Sequence, residues 1–408
     1  MIHVCYALCD RKGTYSKFAG TSMCSLLLNT DAEVMLHLLH DDTLTEENRL
    51  LFEKLAKEHG AELRFYPVQS LAPRQIEFLE REIAGFSESR FSPATVYRLM
   101  AGMLLPKEIE RLIYLDADTV VNLNIRELWE QPLQGAPLAV VSEREATLGC
   151  PAQQYLVDSG MVPADKYFNA GVLLLDMNEF RKAENILQDG VRLLQENPQC
   201  FCYDQDILNF FFARDARLLG REFNDFVVSE RYRGTGRAEQ HIYHYAGKAA
   251  DVFVMDEYVK LFLHYFTKTP WWNGKLAERL FQGMVDSFEA RKQTLCRQLD
   301  FAAGKRRIFY GDAGMEQQLK ERFRLNEKDL CRNIVGAEGS LDVGSLLRWM
   351  SEQENAVHIF FLDIYDDLKP YLERKGYQED IDFVDGRQYL LAGDGGWQLC
   401  GVEFFEDL

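Results

Sequence analysis

Two aspartates stand two residues apart at the end of an apolar run. Asp116 and Asp118 directly follow residues 111–115, which read as a buried strand. Carboxylates at this spacing can reach one divalent cation where a strand ends, and their hard oxygen atoms suit Mg²⁺ or Mn²⁺. Such an ion neutralises the charge that develops on a departing diphosphate. The alternative is a solvated turn with two surface aspartates, and the pair alone does not decide between them.

A short segment with two histidines offers a further metal ligand. His241, Tyr243 and His244 fall within one apolar stretch. Strand alternation puts His241 and Tyr243 on one face and His244 on the other. A neutral imidazole at a strand end can bind a metal. A packed or surface histidine is the alternative.

Polar residues in three other segments could contact a substrate. Asp204 and Gln205 begin a predicted helix, where Asp204 is either an N-cap or a group that faces a ligand. Asn169 lies in a loop of small residues before an apolar strand, so its amide either closes a turn or contacts a sugar. Arg98 is either a surface arginine or a partner for phosphate.

Short apolar runs alternate with helical patterns and predict an α/β fold. Strands are expected at residues 4–8, 34–39, 63–66, 111–115, 138–141 and 172–175, with helices at 17–28, 97–105 and 204–212. The spacing of Thr43 and Glu46 is that of a capping box, which predicts a helix that ends at Gly60. This alternation favours parallel strands joined by crossover helices. Residues just after each strand are then the candidates for ligand binding.

Composition excludes some classes of partner. The chain has 408 residues and a formal net charge of −18, which argues against duplex DNA or an anionic membrane as the main partner. No apolar run of about 18 residues occurs, so no transmembrane helix is expected. The N-terminus reads as a strand rather than a secretory signal. Nine scattered cysteines favour reduced thiols in a cytoplasmic protein.

Taken in order, these blocks resemble glycosyltransferase family 8, the group that contains glycogenin and bacterial lipopolysaccharide galactosyl- and glucosyltransferases. The resemblance covers roughly residues 1–275, and the order of the blocks carries it more than any single one. The matching blocks are Ala7 to Asp10 with Tyr15 and Ser25 to Leu27, Ser92 to Leu99, Tyr114 to Asp118, Phe168 to Val172, Tyr203 to Asp206, and His244 to Lys248.

The resemblance implies a GT-A nucleotide-diphospho-sugar transferase fold, with a mostly parallel sheet flanked by helices. It also implies retention of anomeric configuration, a UDP-hexose donor, and Mn²⁺, with Mg²⁺ as the alternative, bound by Asp116, Asp118 and His244. Asp204 and Gln205 are the expected catalytic residues. The acceptor would be a glycan or a lipid-linked precursor of a cell-surface polysaccharide or lipopolysaccharide. The residues expected to bind the donor are Ala7, Asp10, Tyr15, Arg98, Asp116, Ala117, Asn169, Ala170, Gly247 and Lys248.

Two departures from the family pattern leave a second function open. Family members usually continue the histidine block into Lys-Pro-Trp, but here the expected lysine falls at Ala250 and the Pro-Trp is missing. Cys9 and an insertion at residues 11–14 also alter the segment that would contact the uracil. A degenerate transferase that binds a nucleotide sugar or a partner without turnover is therefore the alternative. A nucleotidyltransferase or phosphohydrolase would also use paired carboxylates, but it gives no reason for the Asn169 and Asp204 blocks.

The remainder of the chain predicts a further small domain. Residues 276–300 are expected to form a helical connector, and residues 301–408 a small Rossmann-like α/β domain. Gly311 and Gly314 remain of a glycine-rich fingerprint that lacks its third glycine, which favours a structural or interaction role. This domain could bind a partner protein or form a homo-oligomer. The expected location is cytoplasmic, at the inner face of the membrane if the acceptor is lipid-linked.

Overall fold

The computed structural model describes residues 1–83, 93–143, 154–200, 202–227, 229–230, 238–246, 256–282, 305–311, 329–334, 342–361, 365–379 and 381–386. The chain divides into two compact units. Among the described residues, the first unit comprises 1–246 and 257–277, and the second comprises those from 278 onward. No helix in the described ranges is both long enough and apolar enough to cross a membrane.

A seven-stranded mixed sheet forms the centre of the first unit. The strands of this unit are β1 Ile2–Leu8, β2 Val34–His40, β3 Glu62–Pro67, β4 Arg111–Leu115, β5 Thr119–Val121, β6 Leu138–Ser142, β7 Phe168–Asp176, β8 Arg217–Leu219, β9 Asp225–Phe226 and β10 Ile242–His244. The large sheet has the order β3-β2-β1-β4-β7-β6-β8, and β5, β10 and β9 form a small second sheet. Strands β1 and β4 are buried almost throughout, which explains their continuous apolar sequences.

The direction of β7 departs from the parallel arrangement. Strands β3, β2, β1 and β4 run parallel, but β7 is antiparallel to both β4 and β6. Strand β7 therefore begins at the edge of the sheet where β1 and β4 end. The expected loop at residues 168–171 is wrong, because Phe168 already belongs to β7 and these residues continue the sheet. The α/β class with a mostly parallel sheet is confirmed.

Helices cover both faces of this sheet. Their bounds are α1 Tyr15–Asn29, α2 Glu46–Glu58, α3 Val68–Leu71, α4 Pro73–Glu82, α5 Ala94–Tyr97, α6 Ala101–Leu104, α7 Arg126–Trp129, α8 Gln154–Asp158, α9 Met177–Phe180, α10 Ile186–Glu196, α11 Tyr203–Phe212 and α12 Glu257–Phe266. A 3₁₀ turn at Arg98–Met100 joins α5 to α6, so the helix expected at 97–105 is real but interrupted. The capping box at Thr43 is wrong: Thr45 is the N-cap of α2 and accepts from the Asn48 amide.

The second unit contains a smaller parallel sheet. Its strands are β11 Arg306–Gly311, β12 Leu330–Asn333, β13 Ala356–Phe360 and β14 Phe383–Asp385, in the order β12-β11-β13-β14, and its helices are α13 Val343–Ser351 and α14 Tyr365–Arg374. Tyr310, Phe360 and Leu372 are buried in a core of its own. Most of the expected connector at 276–300 lies outside the described residues, although 274–282 are helical. Gly314 also lies outside them.

Candidate active site

Asp116, Asp118 and His244 form a compact cluster of metal-binding groups. One ligand atom from each lies within 4.8 Å of the others. The Nε2 atom of His244 is 3.3 Å from Oδ1 of Asp118 and 3.9 Å from Oδ2 of Asp116. The histidine is buried, whereas each aspartate side chain keeps about a fifth of its surface exposed (21% and 23%). Two carboxylates and one imidazole, open on one side, fit a divalent cation that also meets a ligand.

A tight turn and a strand pairing assemble this cluster. The amide of Thr119 donates to the carbonyl oxygen of Asp116 at 3.2 Å, so the chain reverses between β4 and β5 with both aspartates on the turn. Strand β5 pairs with β10, which places His244 opposite Thr119. The amide of Tyr245 also donates to the carbonyl oxygen of Asp118 at 2.8 Å. The turn and this pairing together bring the two carboxylates close to the imidazole of His244.

Arg98 connects the metal-binding cluster to the start of α11. Its Nη2 lies 2.7 Å from Oδ1 of Asp116, and its Nε lies 3.0 Å from Oδ2 of Asp204. Its Nη1 donates to the carbonyl oxygen of Ala170 at 2.5 Å, and its guanidinium stacks over the Tyr114 ring at 4.7 Å. Arg98 is buried, so most of its donors are engaged with protein groups rather than directed at solvent.

Burial and neighbouring charges shift the pKa values of these groups in opposite directions. Burial alone would lower the pKa of Arg98, but Asp116 and Asp204 raise it, so the guanidinium stays charged. Burial raises the pKa of Asp204 to about 6 despite the attraction of Arg98. Burial opposes ionisation of both Asp118 and His244, but their mutual attraction lowers the pKa of Asp118 and raises that of His244.

The two predicted catalytic residues lie side by side in the first turn of α11. The N-cap of this helix is Cys202, so the interpretation of Asp204 as the N-cap is wrong. Asp204 instead pairs with Arg98, although the two residues are far from each other in the sequence. Tyr203, which precedes it, has a φ of +33°, a left-handed conformation that is costly for a tyrosine. The backbone therefore bends sharply at the point where Asp204 and Gln205 turn inward.

Gln205 belongs to a buried polar cluster. Its Oε1 accepts from Asn169 Nδ2 at 2.9 Å and from the amide of Ala170 at 3.1 Å. Its Nε2 lies 3.3 Å from Oε2 of Glu143 and 3.4 Å from the hydroxyl of Tyr167. All four side chains of the cluster (Gln205, Asn169, Glu143 and Tyr167) are buried. Hydrogen bonds on both sides fix which end of the Gln205 amide is oxygen.

The residues predicted to bind the nucleotide have different surroundings. Ala7 is buried near the end of β1, at the same edge of the sheet as Asp116, because Cys5 pairs with Tyr114. Tyr15 is about half exposed at the start of α1. The carboxylate of Asp10 accepts from the backbone amide of Tyr15 at 2.8 Å. It also accepts from the Ser16 hydroxyl and from the side-chain nitrogen Nδ2 of Asn48. Asp10 therefore anchors the start of α1.

The remaining donor-binding predictions divide in two. Ala117 is buried within the Asp116 turn, and Ala170 is buried with its carbonyl oxygen accepting from Arg98. Gly247 and Lys248, together with the altered segment that ends at Ala250, lie outside the described residues.

Two residues of the site were missed by sequence reasoning. Glu143 directly follows β6, so the rule that favours residues after strands could have selected it. Asn224 had no such signal, because it precedes a strand of only two residues and belongs to no recognisable motif. Its Oδ1 lies 3.1 Å from Nδ1 of His244.

The part of the chain that contains this site is similar to known proteins. The model of the family described as Glycosyl transferase family 8 matches residues 7–250, well over half of the chain. The chain is 26% identical over 263 residues to the lipopolysaccharide 1,3-galactosyltransferase of Salmonella typhimurium, which is 62% of this chain and 74% of that relative. It is 28% identical over 220 residues, 53% of this chain, to a Haemophilus influenzae protein provisionally named a glycosyltransferase. The chain spans 62% of that second relative, less than two thirds of its length.

A solved structure shares the fold. The galactosyltransferase LgtC, crystallised with donor and acceptor sugar analogues, superposes with a TM-score of 0.54 over 68% of this chain and 99% of its own, at 20% identity. This likeness confirms the expected GT-A fold. Together with the match over residues 7–250, it confirms the resemblance seen in the sequence. The chain therefore belongs to glycosyltransferase family 8.

Proposed function

We propose that the chain is a metal-dependent, retaining hexosyltransferase that moves a sugar from a UDP donor to a glycan or lipid-linked acceptor. The observation that carries the proposal is the cluster of Asp116, Asp118 and His244, with ligand atoms within 4.8 Å of one another. An imidazole beside two carboxylates favours Mn²⁺ over Mg²⁺, which prefers oxygen ligands alone. Bound there, the cation would neutralise charge on the diphosphate.

The protein's own residues would supply a fixed field around the reacting bond. Cleavage leaves negative charge on the departing diphosphate and positive character on the anomeric carbon. Arg98 remains charged and holds Asp116 and Asp204 in place, so the site needs little rearrangement during the reaction. Asp204 adds negative charge next to Arg98. Glu143 adds a second carboxylate, which accepts a hydrogen bond from Gln205.

The arrangement favours attack by the acceptor on the face that the diphosphate leaves. A two-step route would need a nucleophile on the opposite face. Asp204 is paired with Arg98, and Oε1 of Gln205 already accepts two hydrogen bonds, so neither side chain is poised as a nucleophile. A covalent sugar adduct on Asp204 or Gln205, trapped with a slow donor and found by mass spectrometry, would overturn this part of the proposal.

Acceptor and location follow from the relatives and the cysteines. The Salmonella relative is a lipopolysaccharide galactosyltransferase, which supports a bacterial surface glycan or its lipid-linked precursor as the acceptor. Cys5, Cys24 and Cys200, in the described part of the chain, are free thiols, which supports a reducing, cytoplasmic location. We propose a structural or interaction role for residues 301–408, through a partner protein or self-association.

The test is release of UDP from a panel of UDP-hexoses with Mn²⁺, without acceptor. Asp118→Asn is the control, because a substitution of Asp116 would also break its pair with Arg98. We expect slow hydrolysis of one donor, which needs metal and is lost in the control. Hydrolysis that persists without metal would contradict the metal role. Binding of UDP-sugars with no turnover, even with candidate acceptors, would favour the degenerate binding protein.

A further inference from the structure

Three neighbours fix the ring of His244. Phe226 packs against it with ring centroids 4.5 Å apart. Gly171 lies so close to the ring that a Cβ atom at its position would overlap the imidazole. Asn224 Oδ1 lies 3.1 Å from its Nδ1. Asn224 is completely buried and follows the short 3₁₀ turn Arg221–Phe223, so this contact is not exchanged with solvent.

A backbone amide sets the direction of the hydrogen bonds in this cluster. The Gly171 N–H can only donate, and it donates to Asn169 Oδ1 at 2.8 Å, so that atom must be the oxygen of the amide. The same oxygen lies 2.8 Å from one end of the Asn224 amide, which must then be the nitrogen. The end that faces His244 is therefore the oxygen.

A second backbone amide leads to the same orientation of the Asn169 side chain. The Ala170 N–H donates to Oε1 of Gln205, which identifies that atom as an oxygen. The Asn169 atom 2.9 Å from it must be a nitrogen, so the opposite end of Asn169 is again the oxygen. Two independent N–H donors thus orient Asn169, and Asn169 orients Asn224. The usual ambiguity between amide oxygen and nitrogen does not arise here.

We propose that Asn224 is a positioning residue that selects the tautomer of His244. Its carbonyl oxygen accepts the hydrogen of the neutral imidazole from Nδ1, in competition with Asp118 Oδ1, which lies 3.3 Å from Nε2. Asn224 therefore favours the tautomer in which Nε2 presents a lone pair to the space shared with Asp116 and Asp118. A neutral imidazole with its hydrogen on Nε2 would instead direct an N–H at the cation. The inference rests on the proposed metal site and adds to it the relay of Gly171, Asn169 and Asn224.

The relay also links metal binding to the sugar side of the site. Asn169 donates to Gln205 through one end of its amide and accepts from Asn224 through the other. An apolar residue in place of Asn224 therefore removes one of the two donors to the Asn169 oxygen and also the acceptor of His244. Loss of such an outer hydrogen-bond partner typically lowers metal affinity by about 10- to 100-fold.

The experiment compares three variants in the full-length protein. Asn224→Leu keeps the approximate shape but removes the acceptor. Asn224→Asp keeps an acceptor for His244. Asn209→Leu is the matched control, because Asn209 is an equally buried asparagine whose side chain bonds the backbone of Phe168 and Gln205 rather than His244. Circular dichroism and urea unfolding establish that each variant is folded.

The first readout is the tautomer in the metal-free protein. Protein labelled with ¹⁵N-histidine is measured by long-range ¹H–¹⁵N NMR at a pH where the imidazoles are neutral, and His244→Gln identifies the His244 signals. We expect the hydrogen on Nδ1 in the wild type, in Asn224→Asp and in Asn209→Leu. In Asn224→Leu we expect the Nε2–H form to become substantially populated. A wild-type hydrogen on Nε2, or a folded Asn224→Leu with an unchanged tautomer, would overturn the inference.

The second readout is the affinity for Mn²⁺ alone, measured by calorimetry or by the EPR signal of free Mn²⁺. We expect Asn224→Leu to bind at least about tenfold more weakly than wild type, with Asn224→Asp and Asn209→Leu within a few-fold of it. Equal affinity in Asn224→Leu would overturn the link to the metal. A wild-type protein that binds no Mn²⁺ would overturn the proposed function, and the NMR measurement would still decide the tautomer.

Discussion

Asp204 is a buried carboxylate whose ionisation is costly. Burial raises its pKa to about 6, although Arg98 is 3.0 Å away and attracts the charge. In the unfolded chain the same group has a pKa of about 4. The folded state therefore binds a proton more tightly than the unfolded state, and the cost of the charge is present above pH 6 and vanishes below pH 4.

We predict that Asp204→Asn removes this cost. Relative to wild type, the free energy of unfolding of the variant should be about 2 kcal/mol higher at pH 8 than at pH 4.5. The reason is that most of the difference between the folded and unfolded pKa values of Asp204 is titrated between these two pH values. The attraction of Arg98 for the ionised carboxylate is already contained in the raised pKa, so only the hydrogen bonds that the neutral carboxyl would also make cancel in the comparison. Urea unfolding of the metal-free proteins at each pH measures it. A difference that does not change with pH would contradict the account of Asp204.

Gly171 lies where the backbone of β7 meets the His244 ring. A Cβ atom at this position would overlap both Cε1 and Nδ1 of the imidazole, and Phe226 packs against the same ring with centroids 4.5 Å apart. We predict that Gly171→Ala displaces His244 and lowers the Mn²⁺ affinity at least about tenfold, while the fold is retained at a cost of about 1–3 kcal/mol.

Gly274→Ala serves as the control for this substitution. A Cβ atom on Gly274 would meet nothing within 4 Å, so Mn²⁺ binding should be unchanged. Calorimetric titration of both variants with Mn²⁺ gives the comparison. Wild-type affinity in Gly171→Ala would show that His244 does not need its present position to bind the metal.

Among the elements, helix α1 is held by both a buried anchor and a close contact. Asp10 accepts from groups at the start of the helix, and Gly20 in its middle touches the ring of Trp271. Trp271 cannot move away easily, because its indole donates to Asn48 at 2.8 Å and its ring meets Phe52. This helix also carries Tyr15, so its position affects the expected nucleotide pocket.

We predict that Gly20→Ala destabilises the protein although alanine favours helices. Alanine gains about 1 kcal/mol in a helix interior, but overlap with Trp271 costs about 1–3 kcal/mol. A net loss of up to about 2 kcal/mol in the free energy of unfolding is expected from denaturant titration, together with a change in tryptophan fluorescence. A stabilised Gly20→Ala variant would mean that the Trp271 contact yields without cost.

Strands could be predicted from the sequence, but the direction of β7 could not. An apolar run indicates a strand that is buried on both faces. Strands β1, β4 and β7 all show this pattern, and the pattern is the same whichever way a strand runs in the sheet. Direction depends on which edge of the sheet the preceding connection reaches, and nothing local encodes that. The same limit explains the loop expected at residues 168–171, whose small residues are in fact the first part of β7.

The site could be predicted where chemistry is concentrated in short blocks. Asp116, Asp118 and His244 stood out because carboxylates and an imidazole follow apolar segments, and the structure brings them together. Asn224 could not be found this way. Its partners are 20 residues ahead in His244 and 55 residues behind in Asn169, so its role exists only once the chain has folded.

At the scale of the whole molecule, the family match covers the first unit, and the second unit has its own sheet and core. The whole chain carries a net charge of −18, and the site itself contains several carboxylates. Such a site needs a cation, or a buried arginine such as Arg98, before it can accept an anionic diphosphate. Electrostatics of the molecule thus supports the central claim, that a divalent cation completes the donor site.

The most direct test is the position of manganese in a crystal of the protein grown with Mn²⁺ and UDP, located by its anomalous scattering. The account predicts one strong peak about 2 Å from a carboxylate oxygen of Asp116, a carboxylate oxygen of Asp118 and the Nε2 atom of His244. A peak bound through Nδ1 of His244 would contradict the tautomer argument. Manganese at another place, with UDP bound and these three residues unliganded, would contradict the metal site itself.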